Sequence, residues 1–199
     1  MILDQLIQKY FGSFWLKPAV TVSAVIFFIA FAGISYSRTK VWKTDKSLWT
    51  DVSKKYPLCA IAHYNLGTYY FKEEKNDAQA LISYNKTLSI DTTQIKAFVN
   101  RGIIFTRMRE MEKAESDFMH AIKLDSNFAE TYKNFGILHA TVGNYEKSIA
   151  DYTNYLRILP ASPDIYYGRG MTYYQLKRFG EATDDFSKAI SYDSLNANY

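Results

Sequence analysis

Asn65, Asn100 and Asn134 each stand two residues before a glycine, and those glycines are 35 and 34 residues apart. A side-chain amide both donates and accepts hydrogen bonds, so a ladder of amides can hold the backbone of an extended peptide whatever its sequence. Catalytic chemistry is harder to assemble. His63 and His139 fall where large apolar residues recur, which predicts core filling, and His120 is expected to face solvent. No HExxH, phosphate-cradling glycine loop or nucleophile elbow is present. Asp184-Asp185 reads as a solvated helix face rather than an acid/base pair. Cys59 is the sole cysteine, which rules out an intrachain disulfide or a multi-cysteine zinc site. The residues point to binding, with no enzyme activity, metal or cofactor expected.

Charge narrows the class of partner. The formal net charge is +4, but it is unevenly placed. Residues 38–57 hold Arg38, Lys40, Lys43, Lys46, Lys54 and Lys55 against Asp45 and Asp51. Residues 58–199 hold sixteen basic and seventeen acidic side chains. That region lacks the basic footprint a phosphate backbone requires, so nucleic acid is not an expected partner.

From Pro18 to Ser37 runs a stretch without a charge, PAVTVSAVIFFIAFAGISYS. A helix of this length reaches about 30 Å, the thickness of a bilayer's hydrocarbon core. Trp15 and Lys17 flank one end, Tyr36, Arg38 and Trp42 the other, as headgroup-level anchors would. Residues 18–37 are therefore expected to be a transmembrane helix in contact with lipid. Ala30-Phe31-Ala32 has the form of a signal cleavage site, yet the apolar run continues past it and Asp4 lies in the preceding region. In residues 1–17 the pairs Ile2/Leu3, Leu6/Ile7, Tyr10/Phe11 and Phe14/Trp15 give one apolar stripe. Such a stripe suits either an interfacial segment or a helix packed on other membrane helices.

The remainder repeats itself. YNLG ends at Gly67, VNRG at Gly102, KNFG at Gly136 and YGRG at Gly170, spaced by 35, 34 and 34 residues. With glycine as position 8, position 20 is Ala80, Ala114, Ser148 and Ala182. Position 24 is Tyr84, Phe118, Tyr152 and Phe186, with one extra residue in the turn at Glu74–Asp77. Small residues at 8 and 20 let two helices cross closely, and the large residue at 24 fills the space beside them. This 34-residue pattern resembles the tetratricopeptide-repeat (TPR) family. The resemblance implies an all-α fold, a TPR α-solenoid in which antiparallel helix pairs stack as a right-handed superhelix. Its divisions would be repeats at 58–94, 95–128, 129–162 and 163–196, with a truncated fifth begun at 197–199. Trp49 and Pro57 align with positions 24 and 32, so residues 38–57 are expected to form a juxtamembrane capping half-repeat.

In the family, position 6 lines a concave groove, as do positions 2, 5, 9, 12 and 13. The resemblance thus places Asn65, Asn100 and Asn134 there, broken by Gly168, together with Tyr64, Lys96, Arg107, Lys133, Tyr167 and Tyr174. It is similar to the asparagine ladder of the O-linked N-acetylglucosamine transferase repeats, and implies a protein or extended peptide as partner. The carboxylate clamp of chaperone-binding repeats needs Lys and Asn where this chain has Tyr64 and Thr68. Chaperone tails are therefore not expected.

A span, a basic segment, a helix and then repeats also resembles the C-terminal part of multi-pass membrane proteins, including transmembrane O-mannosyltransferases. That layout implies an alternative role, as the non-catalytic tail of a glycosyltransferase presenting acceptor protein. It also implies extracytoplasmic or periplasmic repeats, whereas the basic residues after the span favour the cytoplasm. The sequence leaves the oligomeric state open.

Overall fold

The computed structural model describes residues 2–11 and 16–196, and every secondary-structure element among them is a helix. The expectations for Phe14, Trp15 and residues 197–199 fall outside the described residues. Two compact units divide the chain, residues 1–55 and 56–199.

The first unit contains α1 (Ile2–Phe11), α2 (Leu16–Val41) and α3 (Asp45–Lys55). Within α2, Val20–Thr39 has a mean hydropathy of 2.0 and no part of its most apolar window is buried by protein. Phe27, Phe28, Ile29, Phe31 and Ile34 are all exposed. Two of its hydroxyls bond back to the helix: Ser37 Oγ donates to the Ile34 carbonyl at 2.7 Å and Thr39 Oγ1 to that of Tyr36 at 2.7 Å. At the turn into α3, Thr44 Oγ1 accepts from the Ser47 amide at 3.1 Å, a side-chain cap on an otherwise orphan N–H. Arg38 on α2 and Lys55 on α3 both bind Asp51 at 2.9 Å. Lys55 first, then Arg38, hold the Asp51 carboxyl below the usual carboxylate range.

The second unit is four helix pairs: α4 (Ala60–Lys72) with α5 (Asp77–Ile90), α6 (Ile95–Arg107) with α7 (Met111–Leu124), α8 (Ala129–Thr141) with α9 (Tyr145–Ile158), and α10 (Pro163–Gln175) with α11 (Phe179–Asn196). Each crossing is tight for one reason. A Cβ added at Gly67, Gly102, Gly136 or Gly170 would come within 2.7–2.8 Å of the ring of Tyr84, Phe118, Tyr152 or Phe186 respectively. Sequence periodicity therefore corresponds to a glycine–aromatic contact made four times.

The first helix of each of the last three pairs ends alike. Arg109, Gly143 and Lys177 have φ of 61°, 78° and 60°. The next residues, Glu110, Asn144 and Arg178, donate their amides to the carbonyls of Phe105, His139 and Tyr173 at 2.8–3.0 Å. This Schellman closure caps the helix and reverses the chain. In the first pair the extra residue moves the left-handed position to Lys75. Neighbouring pairs bury a shared core. One cluster runs from Ala80 and Tyr84 to Phe135 and Leu138, a second from Ala129 to Tyr166, and Ile122 packs on both. No pair could bury this surface alone.

Candidate partner-binding site

The three asparagines differ in what surrounds them. Asn100 Nδ2 donates to Tyr84 Oη at 3.1 Å, and Tyr84 Oη in turn donates to Thr68 Oγ1 at 3.4 Å. Burial pushes the Tyr84 phenol up to about 12, so it remains a neutral relay between the first two repeats. Asn134 follows Phe118, which has no hydroxyl, and instead turns back to the Glu130 carbonyl at 2.8 Å. Asn65 makes no side-chain hydrogen bond among the described residues. At the fourth position the ladder stops at Gly168. A Cβ on Gly168 would stand 3.3 Å from the Tyr152 ring and 3.4 Å from its hydroxyl. The tyrosine stands beside this position as Tyr84 stands beside Asn100. In Asn100 and Asn134 the N–H side of the amide is engaged within the protein, which leaves the carbonyl oxygen to accept from a partner.

Tyr64, Lys96 and Asn100 line one groove of about 380 Å³, with Phe71, Lys72, Val99, Ile103, Phe128 and Glu130. The other expected groove residues are engaged elsewhere. Arg107 binds Asp77 at 2.8 Å and covers the Phe71 ring at 4.5 Å. Lys133 binds Asp164 at 2.9 Å, and that carboxylate raises the pKa of its ammonium. Tyr167 and Tyr174 are exposed, resting against Phe186 and Phe179 at centroid distances of 5.7 and 5.5 Å.

Two readings of titratable residues need correction, and a third gains a polar partner. Asp185 is not part of a solvated face: it is 3% exposed, and Arg169 grips both its oxygens at 2.7 and 2.9 Å. His63 is only half-buried, with Nε2 3.0 Å from the Pro57 carbonyl, so it ties a loop rather than filling the core. His139 is buried, but as one half of a polar pair: its Nδ1 lies 2.6 Å from Asp151 Oδ2 and its ring stacks on Phe135 at 4.4 Å. His120 is exposed and stacks on Phe98 at 5.4 Å.

These contacts reveal a second repeated device. Asp117, Asp151 and Asp185 all occupy position 23 and all are buried. Arg101 holds Asp117 with two bonds at 2.7 and 2.8 Å and reaches Asn85 of the preceding repeat at 2.7 Å. Arg169 does the same to Asp185 and reaches Thr153 at 2.8 Å. Each arginine therefore joins its own helix pair and also clips it to the one before. In the third repeat Phe135 stands where the arginine would be, and His139 answers the carboxylate from the next turn. An available signal was the 16-residue interval from Arg101 to Asp117, repeated from Arg169 to Asp185.

Substitution of His for Arg gives the third repeat its own pH response. Burial pushes the Asp151 carboxyl above its ordinary value, against the opposing pull of the His139 bond. A raised carboxyl takes up a proton more readily in the folded than in the unfolded chain. Its contribution is therefore most favourable below the unfolded value, near pH 4, and is lost as pH rises through the folded value. Asp151→Asn should accordingly gain on the native chain over that rise. Thermal melts of both proteins across the window check this, and a constant difference in Tm would contradict it.

Residues 95–128 and 163–194 match models of the tetratricopeptide repeat. Among curated proteins none matches the chain. Among solved structures, a crystal structure of MamA superposes with a TM-score of 0.71 at 25% identity, covering 76% of this chain and 88% of MamA. PilF of Pseudomonas aeruginosa superposes with a TM-score of 0.67 at 16% identity, covering 80% of this chain and 72% of PilF. The TPR domain of Arabidopsis OM64 gives 0.54 at 18% identity, covering 57% and 93%. These matches give no support to the resemblance to O-mannosyltransferases. With four glycine–aromatic crossings in register and two of the repeats recognised as such, the chain is a tetratricopeptide-repeat protein and an all-helical scaffold for protein–protein interaction.

Proposed function

We propose that this chain is a membrane-anchored scaffold whose repeats at 58–94, 95–128, 129–162 and 163–196 capture an extended segment of another protein. The observation that carries this reading is a groove walled by apolar side chains and lined by the Asn100 amide, with Asn65 and Asn134 at the equivalent position of the neighbouring repeats. Backbone N–H groups of an extended peptide need acceptors at regular spacing, and side chains of the peptide need apolar recesses between them. No catalytic step is required.

The anchor is the apolar surface of α2. Twenty residues with a mean hydropathy of 2.0 and no protein cover are favourable only in lipid or in a transient targeting role. We place the repeats on the extracytoplasmic side, the orientation implied by the layout of span and repeats. Replacing Asn65, Asn100 and Asn134 together by Ala should weaken peptide capture by on the order of tenfold, taking about half a kcal/mol for each lost hydrogen bond. Helicity measured by circular dichroism should be unchanged. Equal capture by the triple variant would remove these amides from the binding face.

A further inference from the structure

The groove between the first three repeats has a chemical preference built into its rim. Its walls are Phe71, Val99, Ile103 and Phe128, and its cationic rim residues are Lys72 and Lys96. Neither lysine has a carboxylate within ion-pair distance among the described residues, and both are exposed. The neighbouring cations are already answered: Arg107 by Asp77, and Lys133 by Asp164. Glu130, at the far edge of the same groove, lies within 3.4 Å of the Asn134 amide. The face is therefore polar along its length. Two unanswered positive charges stand at the α4–α6 end. One negative charge follows at α8, and the α10 end is neutral and aromatic, with Tyr167 and Tyr174 exposed.

We infer that the occupant of this groove is an internal peptide segment that alternates acidic and large apolar residues, laid with its acidic part over Lys72 and Lys96. This rests on the proposed groove reading and adds the chemistry of the partner to it. Apolar side chains of the segment enter the recess formed by Val99, Ile103 and Phe128. Its carboxylates reach the two ammonium groups at the rim, which remain hydrated and exchange partners readily. Basic segments are repelled at that end and gain only Glu130 in return. Complementarity of this kind acts on specificity and on the rate of encounter, and it weakens with salt.

The test uses the full-length chain in detergent and fluorescence anisotropy with labelled synthetic peptides of alternating Glu-Leu, Gln-Leu and Lys-Leu. The Glu-Leu peptide should bind most tightly, by on the order of tenfold over Lys-Leu at low salt, as expected for two partly exposed charge pairs. Lys72→Glu with Lys96→Glu should invert that order, while circular dichroism stays unchanged. Ile103→Arg should abolish binding of all three peptides by filling the recess. If Ile103→Arg abolishes binding but the three peptides bind equally, the charge preference is wrong and the groove reading survives. If all peptides bind Ile103→Arg as they bind the native chain, the groove reading itself fails. Preference for Lys-Leu, or self-association of the chain that Ile103→Arg removes, also overturns the inference, the latter by assigning the recess to a second copy.

Discussion

Arg101→Leu should cost the array about 3 kcal/mol of stability, because it leaves the Asp117 carboxylate buried without a counter-charge. Asp117 has a side chain only 5% exposed, against 20% for Arg101. Taking a carboxylate out of water is tolerable while two guanidinium N–H groups are fixed on its oxygens. Removing one partner keeps the desolvation and discards what offsets it. Replacing both partners, Arg101→Leu with Asp117→Leu, should therefore recover most of the loss. Arg169→Leu should behave in the same way through Asp185, whose side chain is 4% exposed. A control comes from Arg107 and Asp77, a pair whose side chains are 46% and 30% exposed. Breaking it should cost less than about 1 kcal/mol, as solvated ion pairs do. Urea denaturation of the four variants measures these differences. Equal costs for Arg101→Leu and Arg107→Leu would show that burial does not govern the effect.

Gly102→Val should destabilise by about 3 kcal/mol, at the upper end of the cost of overpacking. A Cβ at Gly102 lies 2.7 Å from the Phe118 ring, and Phe118 is fully buried between α6 and α7. The ring cannot retreat without displacing its neighbours, Phe135 among them at 5.6 Å. Either the helices part or the ring leaves its rotamer. Shortening the obstruction with Phe118→Leu should restore part of the loss in the Gly102→Val background, although it is destabilising alone. Gly180→Ala is the contrasting case, since a Cβ there meets nothing within 4 Å. That variant should be as stable as the native chain or better, given the helix propensity of alanine. A cost at Gly180 equal to that at Gly102 would refute the steric account.

Much of this architecture was legible because it depends on volume, and volume repeats visibly in a sequence. Glycine at position 8 and an aromatic residue at position 24 recur at fixed spacing, and each pair proves to be one contact. Charged residues were harder to read. Asp185 in isolation is indistinguishable from a solvated acid, and only its arginine sixteen residues earlier explains its burial. His139 read as a core filler because its neighbours in register are Tyr and Phe. Its bond to Asp151 becomes intelligible once Phe135 is seen in the slot that holds arginine in the repeats on either side. The asparagine ladder was visible as spacing, but hydrogen bonding within the protein was not. Asn100 and Asn134 spend their N–H groups on different partners because Tyr84 carries a hydroxyl and Phe118 does not.

The most direct measurement is site-specific photo-crosslinking, with a diazirine residue of leucine size, which leaves the recess open, placed at Ile103 in the groove or at Met119 on the exposed side of α7. With the Glu-Leu peptide, adducts should form at Ile103, be absent at Met119, and need on the order of tenfold more peptide in the triple asparagine variant. Labelling at Met119 equal to or greater than that at Ile103 would place the peptide on another surface and contradict a scaffold that works through its groove.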